Sequence, residues 1–530
     1  MTSAKVVTSE IERMPTNGSI SSEKLGDNHK DEKGLAVVDV LERGSLDEHE
    51  KVIYAEDQFT EKEYKRLRLK IDFIIMPIMM IIFGLNYSDK TSLSSGVIFG
   101  LKEDTHLKPQ EYNNLNSFFY LGFAVAQFPM GALLQHFPLG KAISVTVIIW
   151  GAMCMCLAAC NNYWQLSLVR TLLGWFEAAV MPGFAIMTSA WYLRREQTLR
   201  QTLYASMNTF FAIIFGVGIY YIALDAQTRG GLAAWRVINL FLGGTTVGMG
   251  IICLIFVGTP DEVWWLTKRE KLMAKARIVS NGTGGGESHP WNWAQVRECF
   301  RDPQLWHMVA ANFLNCIPNG GLTAFGILIN KTFGFNSLDT ILYSLPGNAI
   351  TCVCIILAGF CVYYFPKSRF PIAIAAQLWT CFILLFVGFT PLTMNRWVRW
   401  AFYQFYPIYS ITMFLVFPLM TVNVAGRSKK TVFGASCLMA YCIGNVVGGQ
   451  IFVPADAPRY HRALIACAIC LCVNAINLGC MQWYYKRQNK RRDKEFAESG
   501  MAEEERELQT RLAGESGLTD KENKYFRYWC

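Results

Sequence analysis

YWQLSLVRTLLGWFEAAVMPGFAIMTSAWY, running from Tyr163 to Tyr192, holds thirty residues and only two charges, Arg170 and Glu177. A bilayer-crossing helix needs about 20 predominantly apolar residues, so this stretch reads as a membrane span. Burying an ionisable side chain at membrane depth costs roughly 2.5–3.5 kcal/mol even on lenient insertion scales, which makes such residues candidates for function. The two charges lie seven positions apart, which in a helix is about 10.5 Å of rise and a return to within ~20° of the same face. A cation and an acid on one transmembrane stripe suit a carrier that binds an anion and moves a proton. A structural ion pair, or separate bonds that hold one gate, is the competing reading.

The rest of the chain agrees with a membrane setting. Of 530 residues, 52% are hydrophobic and 17% charged, whereas soluble domains carry nearer 25% charge. The apolar residues come in long runs, so the expected fold class is an all-α polytopic membrane protein. The net charge of +9 is concentrated beside those runs and reports topology, not nucleic-acid binding. The 17 cysteines and 7 histidines show no disulfide or metal-ligand spacing, so no metal site is expected. NGTGGGESHP (281–290) has the glycine content of a phosphate loop but lacks its Gly-Lys-Ser/Thr ending, so no cofactor is expected there. No nucleophile–base set appears either, which argues against an enzyme. The opening segment is polar with charges of both signs, unlike a cleavable signal peptide.

Twelve apolar segments of spanning length can be marked, at roughly 70–88, 113–135, 141–160, 164–187, 200–222, 235–257, 304–329, 339–362, 370–390, 399–420, 431–453 and 461–484. The expected organisation is a disordered cytoplasmic tail (1–66), a six-helix bundle (67–258), a cytoplasmic loop (259–302), a second six-helix bundle (303–485) and a cytoplasmic tail (486–530). Basic residues cluster in the connections assigned to the inside, including Lys268, Arg269, Lys271, Lys275 and Arg277 in the central loop, so both termini are expected to be cytoplasmic. HFPLGKAI (136–143) and YFPKSRFPI (364–372) close the second span of each half. This rhyme supports two repeated bundles around a central cavity.

Other polar residues fall inside the spans. Asp89 and Lys90 close the first span in NYSDKTSLSSG, where Lys90 would present a cation to a cavity or form a surface ion pair with its neighbour. Asn208, Asn319 and Asn445 are amides at membrane depth that either bind substrate or bond helices together. Asn319 follows Pro318 and precedes Gly320-Gly321, which predicts a loosened seventh helix. Tyr120 lies in an aromatic run with Phe118 and Phe119 and is a candidate wall for an organic substrate.

Six-plus-six spans with LVRTLLGWFEAAVMPGF (168–184) resemble the major facilitator superfamily, and Arg-x3-Gly-x2-Glu-x4-Pro-Gly resembles its anion:cation symporter branch. KIDFIIMPIMMIIFGLNYSDKTSLSS (70–95), FYLGFAVAQFP (119–129), LTKREKLMAKARI (266–278), IPNGGLTAFGILI (317–329), AGRSKKTV (425–432) and GGQIFVPADAPRYH (448–461) resemble the fungal allantoate permease family. The resemblance implies a monomeric transporter in the plasma membrane, with the vacuolar or endoplasmic reticulum membrane as alternatives. It implies import of a small organic anion, such as allantoate, ureidosuccinate, a vitamin carboxylate or a dipeptide, together with protons. By the same resemblance Arg170 binds the substrate carboxylate with help from Lys90, and Glu177, with Asp89, is the proton-coupling group. A transporter-like nutrient sensor and a proton-coupled exporter of metabolites or drugs are the rival functions. The family's usual Gly-x3-Asp-Arg-x-Gly loop reads GALLQHFPLGK (131–141), with Gln135 and His136 where Asp and Arg would stand.

Overall fold

The first helix begins before the apolar run does. Thr60 caps it: the Thr60 hydroxyl oxygen accepts from Glu63 N at 3.4 Å and Glu63 Oε2 accepts from Thr60 N at 2.8 Å, a reciprocal box that satisfies two of the orphan N–H groups of a helix start. In the computed structural model the described residues are 59–229, 231–279, 292–391, 394–457, 459–499 and 518–530. Most of the expected N-terminal tail and the 281–290 loop lie outside them.

From that cap, α1 spans Glu61–Ile98 and is followed by α2 (Pro109–His136), α3 (Leu139–Leu157), α4 (Tyr163–Glu177), α5 (Val180–Trp191), α6 (Arg194–Arg229) and α7 (Ala234–Phe256). The connecting region carries α8 (Lys268–Val279) and α9 (Trp293–Arg301). The second half holds α10 (Pro303–Lys331), α11 (Leu345–Tyr364), α12 (Arg369–Phe389), α13 (Arg396–Tyr403), α14 (Ser410–Val416), α15 (Leu419–Asn423), α16 (Arg427–Ile451) and α17 (His461–Ser499). No strand occurs among the described residues, and ten helical stretches are long and apolar enough to cross a membrane.

Two of the twelve expected segments fall outside that set, for different reasons. The seventh is one continuous helix, α10, but Gln304, His307, Asn312, Asn315 and Asn319 lower its apolarity. The expected loosening at Pro318 does not occur. Gly320 serves close packing instead, because a Cβ there would collide with the Asn445 carbonyl of α16. The tenth segment is broken into α13, a 3-10 turn at Tyr406–Tyr409, α14 and α15. Pro407 and Pro418 stand at its interruptions, each lacking the N–H that would continue the ladder.

Thr60–Cys530 forms one compact unit. Within it α7 packs on α3, α4 on α2, α10 on α16, α12 on α17, and α6 on both α1 and α11. At the end where α2 begins and α16 finishes, the halves are joined directly. Tyr112 donates to the Ala324 carbonyl at 2.9 Å, Gln110 to Gln450 at 2.9 Å, and Asn113 to the Phe452 carbonyl at 3.2 Å. At the other end each half carries its own ion pairs. Glu196 of the first half meets Arg68 at 3.0 Å and Arg277 of the connecting region at 2.5 Å, and Lys429 of the second half meets Asp302 at 2.8 Å. Residues 518–530 pack beside that second cluster, with Asn423 bonded to the Trp529 backbone in both directions at 2.8 and 2.9 Å.

Candidate substrate site

The stretch 163–192 is helical on both sides of a short irregularity. α4 ends at Glu177, Ala178 and Ala179 form the join, and α5 starts at Val180. Pro182 explains the join, since it has no N–H to offer the Ala178 carbonyl one turn back. Glu177 therefore sits at a helix C-terminus, where the macrodipole disfavours a carboxylate, and it is fully buried. What holds it there is a cation from another helix: Lys90 Nζ lies 2.7 Å from Glu177 Oε1. Lys90 also donates to Asn86 Oδ1 at 2.9 Å and lies over the Phe119 ring at 5.7 Å. Gly174 permits this, because a Cβ there would strike the Phe119 carbonyl and push α4 away from α2.

Lys90 opens onto a cavity of about 80 Å³ between the halves, room for several water-sized groups. Tyr120, Asn208 and Asn319 share its wall, so four candidates from the sequence meet at one place. Asn445 stands directly behind: Asn319 Nδ2 donates to Asn445 Oδ1 at 2.8 Å, and Asn445 Nδ2 to the Tyr441 carbonyl at 2.8 Å. The Tyr409 hydroxyl completes this chain by donating to Asn319 Oδ1 at 3.3 Å. The amides thus act both as wall and as glue between α10, the 3-10 turn at Tyr406–Tyr409 and α16.

Two candidates lie elsewhere. Arg170 is 3% exposed, makes no ion pair with Glu177, and is absent from the cavity wall. Its Nε has no hydrogen-bond partner among the described residues. Asp89 points away, into the α1–α3 interface, where it accepts from Trp150 Nε1 at 3.0 Å and Cys154 Sγ at 3.2 Å. Tyr87, Tyr406, Tyr409 and Tyr441 also line the cavity, and none of them was singled out from the sequence. For Tyr406 and Tyr409 the run YQFYPIY (403–409) was the available signal, since its three tyrosines interrupt an otherwise apolar segment.

A sequence profile for the Major Facilitator Superfamily matches residues 79–449. The chain belongs to the major facilitator superfamily. Within that superfamily an uncharacterized transporter of Schizosaccharomyces pombe is 32% identical over 89% of this chain and 91% of its own length. The allantoate permease of Saccharomyces cerevisiae is 31% identical, covering 89% and 88%, and a thiamine pathway transporter of the same yeast is 28% identical, covering 87% and 85%. This facilitator is therefore a multi-pass membrane transporter of the allantoate-permease-like group, not an enzyme. Among solved structures, a bacterial homolog of the human lysosomal transporter Spinster superposes with a TM-score of 0.52 at 17% identity, over 78% of this chain and 97% of that one. That match shares the fold.

Proposed function

We propose that this facilitator imports a small organic anion together with a proton, by alternating access across the plasma membrane, with twelve crossings, cytoplasmic termini and a monomer as the transport unit. The observation that carries the reading is the Lys90–Glu177 pair at the cavity wall. A carboxylate arriving in the cavity competes with Glu177 for one ammonium. In a low-dielectric site two carboxylates around one cation are unfavourable unless one is neutral. A proton on Glu177 releases Lys90 to the substrate; loss of that proton toward the cytoplasm restores the pair and expels the anion. Lys90 thus takes the place of first anion contact, and Arg170, two turns away on the same stripe of α4, is held in reserve, its Nε without a hydrogen-bond partner among the described residues, for another state of the cycle. The hydrogen bonds joining the halves where α2 begins support a closed outer side in this state.

Glu177→Gln is the decisive variant. It mimics the protonated acid, so uptake of a labelled anion should persist while its dependence on external pH and its sensitivity to a protonophore disappear. Uptake that kept its full pH dependence in this variant would show that the proton is carried elsewhere.

A further inference from the structure

A second cavity, also about 80 Å³, adjoins the first and shares with it Tyr87, Leu322, Thr323, Tyr406 and Pro407. Its chemistry is different. No charged side chain lines it, so a carboxylate has no reason to enter. Four of its hydroxyls have spent their protons on backbone carbonyls: Ser88 donates to Gly84 O at 3.0 Å, Thr91 to Ser88 O at 3.0 Å, Ser344 to Ile341 O at 2.7 Å and Tyr403 to Gly326 O at 3.1 Å. A hydroxyl whose proton is committed can offer only lone pairs. Asn330 follows the same pattern. Its Nδ2 donates to the Thr340 carbonyl at 3.3 Å, and its Oδ1 is buried without a hydrogen-bond partner among the described residues. The residue is 1% exposed, and a buried acceptor left unsatisfied costs about 1–3 kcal/mol, which a donor on a ligand would recover.

We propose that this second cavity is a subsite for an uncharged N–H donor, such as a primary amide, carried by the same molecule whose carboxylate is held at Lys90, with Asn330 as its specificity-determining residue. The inference rests on the anion site described above and adds what stands at the other end of the substrate. A molecule with a carboxylate at one end and an amide at the other bridges the shared tyrosine wall. Its carboxylate lies on the cationic side and its N–H groups on the acceptor side. The two cavities thereby fix orientation, because reversing the molecule places a carboxylate among lone pairs and an amide against an ammonium.

The test uses the purified full-length protein in detergent and two probes of equal length and charge. Glutaramate ends in an amide NH2, and 5-oxohexanoate carries a methyl group in its place. Affinities are read from ligand-dependent shifts of the thermal midpoint. The wild type should bind glutaramate about tenfold more tightly, the worth of one neutral hydrogen bond, and Asn330→Ala and Thr91→Val should each narrow that ratio toward one. Equal binding of the two acids by the wild type, no binding of glutaramate, or a ratio unmoved by both variants overturns the subsite. Lys90→Ala separates the two ideas, since it should weaken both acids alike. Unchanged binding of both in that variant strikes at the anion site, whereas a preference that survives there but vanishes with Asn330→Ala leaves the N–H subsite standing.

Discussion

Two lysines at membrane-helix interfaces, Lys429 fully buried and Lys90 with its side chain 13% exposed, solve the same problem in opposite ways. Lys429 is 0% exposed and gives its three ammonium protons to three carboxylates: Glu298 at 2.9 Å, Asp302 at 2.8 Å and Asp520 at 2.7 Å. Asp520 is itself held by the Tyr528 hydroxyl at 2.7 Å, and its backbone carbonyl by Arg492 at 2.7 Å. Lys90 has two oxygen partners, Glu177 and Asn86, and the face of Phe119 beside it. An ammonium has three donors, so Lys429 is saturated whereas Lys90 has a place left, and the cavity lies next to that place. Satisfaction, more than burial, separates a structural charge from a working one.

Removing each cation breaks the comparison in a different observable. Lys429→Ala should have the largest effect, because it leaves Asp302 and Asp520, both 0% exposed, facing each other with only the partly exposed Lys521, 3.3 Å from Asp302, as a cation nearby. Losing one partner of such a buried cluster costs about 3–5 kcal/mol, read as a lower thermal midpoint and reduced abundance. The molecules that do fold should keep their affinity for the anion. Lys90→Ala should weigh the other way: uptake of the labelled anion falls by about 100-fold per molecule at the surface, while abundance falls less than in Lys429→Ala because the single carboxyl left buried, Glu177, can take up a proton. An alanine at 90 that transported normally would remove Lys90 from the site altogether. Lys90→Arg keeps the charge but demands a planar fork where the cavity offers a point contact, so partial uptake is expected.

How much of this was legible in the sequence follows from what spacing can and cannot encode. Apolar runs announced the helical membrane class, and the seven-residue interval correctly put Arg170 and Glu177 among the buried residues of α4. Spacing specifies a face, however, not the neighbour that meets it. The true partner of Glu177 lies 87 positions away on α1, since 177 minus 90 is 87, and only the packing of α1, α2 and α4 brings it there. Gly320 and Gly321 were ambiguous for a similar reason: the same residues that weaken a helix also let another helix approach, and the collision a Cβ would suffer at Asn445 shows the second effect in force. Residues 518–530 fall in the stretch 486–530 that reads as a cytoplasmic tail, yet Tyr528 stacks on Tyr485 with ring centroids 5.2 Å apart. The aromatic run FRYW (526–529) was the signal for docking.

A third lysine extends the comparison to the exposed limit. Lys70 reaches both oxygens of Glu270 on α8 at 2.9 Å, the same distance as Lys429 to Glu298, but its side chain is 37% exposed and that of Glu270 25%. Water and salt screen such a pair, and measured values for exposed pairs stay below about 1 kcal/mol. Burial alone would raise the Glu270 carboxyl, but the Lys70 hydrogen bond and the Thr267 backbone N–H outweigh it and hold the group below its ordinary value of 4.5. A carboxylate depressed in the folded state stabilises the protein above its unfolded value and loses that contribution as the pH falls through the folded one. Glu270→Gln should therefore lower the thermal midpoint slightly at neutral pH, and the gap to wild type should close as the pH drops below about 4.5 or as salt is raised. A gap that survived in acid would mean that Glu270 acts through packing, leaving the graded contrast among the three lysines without its charge-based explanation.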